Sequence, residues 1–256
     1  MTNSKRYTLA LGAIAAAAML SACNGGSHAM TETPAPVTPP APANAMFDIT
    51  LVNLTAGQPL SPMVAVAHSD GFSMFNVGEP ASVALEHIAE AGETTQMAAL
   101  ANDSKSVYAT AVASGGPLLP GPGNSASVTL TIPAGGLANA RLSMASMLGN
   151  TNDGFAGLSA QSLSSLAVGA TMTVRLLSYD AGTERNTESA DTVPGPATAK
   201  SGGKREGFNA TRDDIVNTVH LHPGIVSSDD GLATSALTQA QRWDNPVALL
   251  TVKRTQ

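Results

Sequence analysis

A single cysteine, Cys23, stands in a chain of 256 residues. No internal disulfide can form, which excludes a fold stapled by cystines. Aromatic residues make up 4% of the chain, so a stacking platform for sugars is thinly supplied. Charged residues make up only 12% and leave Ser, Thr, Asn and Gly to wet the surface. Basic clusters are missing and the formal net charge is −6, which argues against nucleic acid and anionic headgroups as ligands. Catalytic signatures are missing too. There is no Gly-x-Ser-x-Gly elbow, no His-Glu-x-x-His pair and no Walker loop, and the expectation is a protein that is not an enzyme. The apolar run "YTLALGAIAAAAML", residues 7–20, is too short to span a bilayer comfortably.

That run does have a context. Lys5 and Arg6 precede it and Leu20-Ser21-Ala22-Cys23 closes it, an order of basic, apolar and small-residue regions found in secretory signals. The closing tetrapeptide resembles the bacterial lipobox. The resemblance implies that residues 1–22 are a lipoprotein signal peptide and that Cys23, diacylated on sulfur, becomes the N-terminus. Each buried methylene of such chains adds about 0.8 kcal/mol of membrane affinity, so the expected partner at this end is the membrane, through the N-terminal lipid. Asn24 rather than aspartate follows the cysteine, and the expected location is the bacterial cell envelope, as an outer-membrane lipoprotein. Residues 23–45 are rich in Pro and Ala and hold nothing that could build a core. They read as a stalk, with His28 inert within it. Losing residues 1–22 removes two positive charges, Lys5 and Arg6, so the mature chain is more acidic still. Such acidity fits a cation-binding surface.

From Phe47 onward short runs alternate apolar and polar residues: 46–54, 62–68, 106–113, 126–133, 140–148, 171–179, 215–222 and 246–254. Gly, Pro, Asn and Asp separate them. Eight short strands, each with one face to bury, predict an all-β, antiparallel β-sandwich over residues 46–256 as one domain. Leu85, Ile88 and Ala89 recur at helical spacing, predicting one short helix over Ser82–Ala91 with a turn after it. Residues 191–207 read as a long, flexible insertion.

Two stretches offer oxygen ligands at strand ends. "NTNDG" carries Asn150, Asn152 and Asp153; "YDAGTE" carries Asp180 and Glu184, with Gly182 permitting a tight bend. A calcium ion takes six to eight such oxygens. On spacing alone these loops read either as a calcium site or as ordinary turns. An EF-hand is excluded, because no Asp-x-Asp-x-Asp-Gly run has a glutamate at its twelfth position. His220 and His222 project from one face of a strand and would hold zinc or copper if further ligands joined them. They read equally as two half-exposed strand histidines before Pro223-Gly224. Nothing in the sequence brings His68 or His87 near them. Trp243 reads as a plug at the core end of the last strand.

The runs "SPMVAVAHS", "FNVGEPAS", "AEAGE", "SMASMLGNTNDGFAGLSA", "YDAGTERNTE", "HLHPGI" and "RWDNPVALLTV" follow one another between Ser61 and Val252. Together they resemble the spondin N-terminal domain family in its bacterial form, over nearly all of the mature domain. The resemblance implies an eight-stranded sandwich similar to C2 lipid-binding modules, with bound Ca2+. The positions matching that family's metal site are Asp153, Asp180 and Glu184, with Asn152 as a further ligand through its amide oxygen. Glu184 stands where the family has aspartate, Phe155 stands where it has tryptophan, and the animal domains' cysteines have no counterpart here. The implied function is a calcium-binding module that binds a protein or glycan on the envelope. The alternatives are a metalloenzyme or redox-metal protein using the His-x-His strand, or a purely structural envelope lipoprotein.

Overall fold

The computed structural model describes residues 43–256. The expected signal peptide, Cys23 and the stalk as far as residue 42 lie outside the described residues. Nine strands form: β1 (Ala45–Asn53), β2 (Val64–His68), β3 (Val107–Val112), β4 (Ala126–Ile132), β5 (Arg141–Met147), β6 (Gly154–Ser162), β7 (Thr171–Asp180), β8 (His220–Leu221) and β9 (Ala248–Arg254). All pair antiparallel, in the order β3-β2-β5-β6-β7-β9-β1-β4, with β8 added beside β7. The all-β class read from the sequence is the one the chain adopts.

The sheet is continuous and curls until its end strands β3 and β4 lie against each other without a ladder between them. It is nearly closed and barrel-like. β7 carries the sheet round. Its first part, Thr171–Leu176, pairs with β9, and its second, Leu177–Asp180, pairs with β6. Period-two alternation fills the interior. Phe47, Ile49 and Leu51 of β1 meet Leu250 and Val252 of β9, Leu130 and Ile132 of β4, and Leu142 and Met144 of β5. Burying each such side chain is worth about 1.5–3 kcal/mol.

A second apolar layer lies outside the sheet. Helix α1 (Val83–Ala91) begins at Ser82, whose side chain accepts the Leu85 N–H, and ends at Gly92 in the left-handed region. The helix expected there is present, with Ser82 as its cap. The turn expected beyond it is a second helix, α2 (Thr95–Asp103), which buries Met97 and Ala101 on one face. Leu85, Ile88 and Met97 cover Val64, Val66, Ala145 and Phe155. This cover explains the run "VAVAH": Ala65 and Ala67 face the interior, Val64 and Val66 face the helices, and all of β2 is buried.

Two strand expectations change. The span 215–222 yields only His220–Leu221 as strand, because its first half turns outward, with Ile215 86% exposed and Val216 48%, while burial begins only at Val219. In contrast, "GFAGLSAQS" is strand β6 between β5 and β7, although its glycines read as a loop. Those glycines are contact sites. A Cβ on Gly157 would stand 2.8 Å from the rings of Phe75 and Phe155.

Candidate metal centre

The register aligns Gly154 with Asp180, so the loop before β6 and the loop after β7 meet at one end of the sheet. Asp153 and Asp180 are both fully buried there. Asp153 Oδ2 accepts the backbone N–H of Thr183 at 2.7 Å and of Glu184 at 3.0 Å, and the Thr183 hydroxyl at 3.2 Å. Its other oxygen, Oδ1, is buried with no partner. Asp180 accepts Gly182 N–H through Oδ1 at 2.8 Å and Asn186 Nδ2 through Oδ2 at 2.7 Å. Gly182 (φ +68) makes that bend, and a Cβ there would stand 2.4 Å from the Val216 carbonyl oxygen.

Glu184 and Glu188 continue the cluster, each with a buried Oε2 lacking any partner. Glu188 sits at φ 50, a costly conformation for a non-glycine residue, and its Oε1 accepts the Val226 N–H at 3.2 Å. Helix α1 adds buried Glu86 and Glu90, one turn apart. Arg212 neutralises Glu86 through two contacts, 2.7 and 3.1 Å. Among the described residues it is the one arginine or lysine within ion-pair distance of these six buried acids.

Uncompensated burial of negative charge favours the protonated acids. Burial, reinforced by the Asp180 charge, pushes Asp153 up to about 8. Burial pushes Glu184 up to about 9, with Glu90 and Asp153 adding to it. Burial likewise raises Glu188 to about 7 and also raises Glu90. A hard divalent cation removes the same penalty by a different route, and it seeks oxygen ligands only. Three carboxylate oxygens, on Asp153, Glu184 and Glu188, are left without partners, but among the described residues the acids and histidines whose donor atoms already converge within 4.8 Å are Asp180, Asp214 and His220.

The other loop residues have supporting parts. Asn152 donates to Thr192 Oγ1 at 2.7 Å and accepts the Glu188 N–H at 3.1 Å, tying the two loops together. Asn150 bridges the Gly57 carbonyl at 2.8 Å and Ala197 N–H at 2.9 Å, which docks the 191–207 segment on this loop. Phe155 lies fully buried beneath the site against Phe75 and Tyr179, at ring centroid distances of 5.1 and 5.6 Å. Glu90 and Glu188 were missed by the sequence reading, as was Asp214, whose carboxylate comes within 4.8 Å of donor atoms on Asp180 and His220. The pair Glu86 and Glu90 beside Leu85 and Ile88 was the available signal, since acids flanking an apolar helical stripe end up at the edge of what it buries.

The histidines also separate. His68 is buried on β2 and bonded to Ser143 Oγ and the Ser69 carbonyl, both at 2.8 Å. His87 on α1 stacks on Phe208 and pairs with Glu93. His220 is half-buried beside Asp180. His222, expected half-exposed, is 5% exposed. Its ring meets Trp243 edge-on, and burial lowers it to about 4. Trp243 touches the interior from its rim and donates from Nε1 to Ser178 Oγ at 3.1 Å.

Comparison with curated proteins finds no match. The chain does match the family model described as Spondin_N, over residues 54–200. That span runs from the end of β1 through both acidic loops and takes in Asp153, Asp180, Glu184 and Glu188. The chain belongs to the spondin N-terminal domain family.

Proposed function

We propose that this chain is a non-catalytic binding module whose loop end is organised by a calcium ion. Asp153, Asp180 and Glu184 hold the ion, and Asn152 braces the loop that carries Glu188. The observation that carries this reading is the set of partnerless, buried oxygens on Asp153, Glu184 and Glu188. An unpaired buried carboxylate is costly, and an ion drawn between the two loops offsets that cost for the acids it reaches.

The ion ties the loop after β7 to the segment 211–219, because Gly182 packs directly on the backbone of Val216 and Thr218. That segment and its neighbours expose Ile215, Val216, Leu221 and Val226. An apolar group of this kind around a rigid loop end supports a protein partner over a glycan. Upstream, the sole cysteine at the end of Leu20-Ser21-Ala22-Cys23 supports a lipid anchor, and the Pro-rich residues after it support a stalk that lifts the domain from an outer membrane.

The test is trypsin cleavage at Arg185 and Arg212 with calcium and with chelator. Calcium is expected to slow both cuts in the wild type and to change nothing in Asp153→Asn. Equal cleavage under both conditions in the wild type contradicts the reading.

A further inference from the structure

The ladder places His220 opposite Asp180 on β7, and paired residues in an antiparallel ladder share a face. His220 Nε2 stands 3.8 Å from Asp180 Oδ2. Asp214, from the irregular segment before β8, completes the group: one donor atom each from Asp180, Asp214 and His220 lie within 4.8 Å of one another. The tautomer matters. His220 Nδ1 lies 2.9 Å from the Thr218 carbonyl oxygen. A carbonyl only accepts, so Nδ1 carries a proton, and in the neutral ring Nε2 is the nitrogen free to ligate on the side of the carboxylates. A histidine held through Nδ1–H by a backbone carbonyl is also the arrangement that orients metal ligands. In the neutral ring an imidazole lone pair faces an acid oxygen, and either a second proton on the ring or a cation between them resolves that repulsion.

A second, independent feature faces the same place. His222 lies two residues along, just past the end of β8, and its backbone N–H still donates to the Ser178 carbonyl of β7, so its ring projects from the same side as that of His220. The Gly224 N–H donates to its Nδ1 at 3.0 Å, which leaves the proton on Nε2. That N–H is buried and has no acceptor. It lies 3.1 Å from where a Cβ on Gly154 would be, and Gly154 is the residue paired with Asp180. An unused donor is thus turned onto the face that carries the three ligands, where it can hold a water on a bound ion. Asp214 and His220 are only half-buried, so an ion can enter from solvent.

We propose that Asp180, Asp214 and His220 form a transition-metal site that takes Zn2+, with water in the fourth position held by the His222 Nε2–H. Two donors on one tetrahedral zinc stand about 3.3 Å apart, given bonds of about 2.0–2.1 Å, so the His220–Asp180 pair must close in from 3.8 Å and Asp214 from within 4.8 Å. The nitrogen ligand separates this site from the all-oxygen calcium locus. The inference goes beyond the calcium reading and shares only Asp180 with it.

The test is zinc titration of the full chain in saturating calcium, with Co2+ as a spectroscopic substitute. One equivalent of zinc is expected to bind, and Co2+ is expected to give the intense visible absorption of a four-coordinate site. His220→Gln and Asp214→Asn should each weaken zinc more than about tenfold, the scale of such losses at metal sites. Both should retain the calcium-induced rise in Tm, which also shows that they fold. Asp153→Asn should lose the calcium response and keep the zinc. Undiminished zinc affinity in His220→Gln, or no zinc bound by the wild type, overturns the proposal and leaves the calcium reading standing.

Discussion

The interior of the curled sheet and its loop end are equally buried and obey opposite rules. Inside, Phe47, Ile49, Leu130, Leu250 and Val252 are dry and apolar, and each contact is stabilising without any partner. At the loop end Asp153, Asp180, Glu184 and Glu188 are just as inaccessible, with backbone N–H groups filling only part of their capacity. The contrast teaches that burial at this end is not a source of stability. It is a cost, set up by the sheet's own packing, that protons relieve and that the proposed ion would relieve in their place.

The largest effect expected lies in the interior. Phe47→Ala should destabilise by about 3–5 kcal/mol in urea denaturation, by the same amount with calcium or chelator. A loss that depended on calcium would erase the distinction between the regions. Next comes the loop end. Calcium at one hundred times its Kd should stabilise the wild type by about 2.7 kcal/mol and Asp153→Asn not at all. In chelator that variant should stay within about 1 kcal/mol of the wild type. Its amide oxygen keeps the Thr183 and Glu184 N–H bonds while a neutral donor replaces the orphaned oxygen.

The pH dependence sharpens the same contrast. Asp153 and Glu184 hold protons in the folded chain up to about 8 and 9, whereas the unfolded chain releases them near 4. Their contribution is therefore fully present below about pH 4 and is lost as pH rises through the folded values. Metal-free protein should grow less stable from pH 5 to 9, and calcium should flatten that slope. Equal slopes with and without the ion would count against the loop-end account. The smallest effect belongs to the helical layer. Ser82→Ala should cost about 1 kcal/mol in thermal unfolding, through the lost cap on Leu85, with no dependence on calcium.

The strands that bury one face were legible from alternation alone, and α1 from its cap and period. Three features were hidden for identifiable reasons. Strand β6 carries Gly154 and Gly157, which local propensity reads as loop, because the reason for them is contact with His222, Phe75 and Phe155 across the fold. Helix α2 follows a glycine cap so closely that its two buried residues, Met97 and Ala101, gave too short a pattern. Residues 215–222 alternate like a strand yet turn Ile215 outward, since the backbone there is pressed against Gly182. At the loop end, Asp153, Asp180 and Glu184 were legible through the family's motifs as acids on two loops, and the structure buries all three. Glu90 was not, because its role depends on how α1 is laid on the sheet. Neither was Asp214, which reaches Asp180 from a segment without regular structure.

The most direct test of the central claim is calorimetric titration of calcium into the full chain at pH 7, repeated in two buffers that differ in ionisation enthalpy. If buried acids hold protons that the ion replaces, the apparent heat must differ between buffers by an amount that reports proton release. Asp153→Asn must abolish both the binding and that difference. Calcium that binds with no proton release, or binds the variant as well as the wild type, would show that the buried carboxylates are not its ligands.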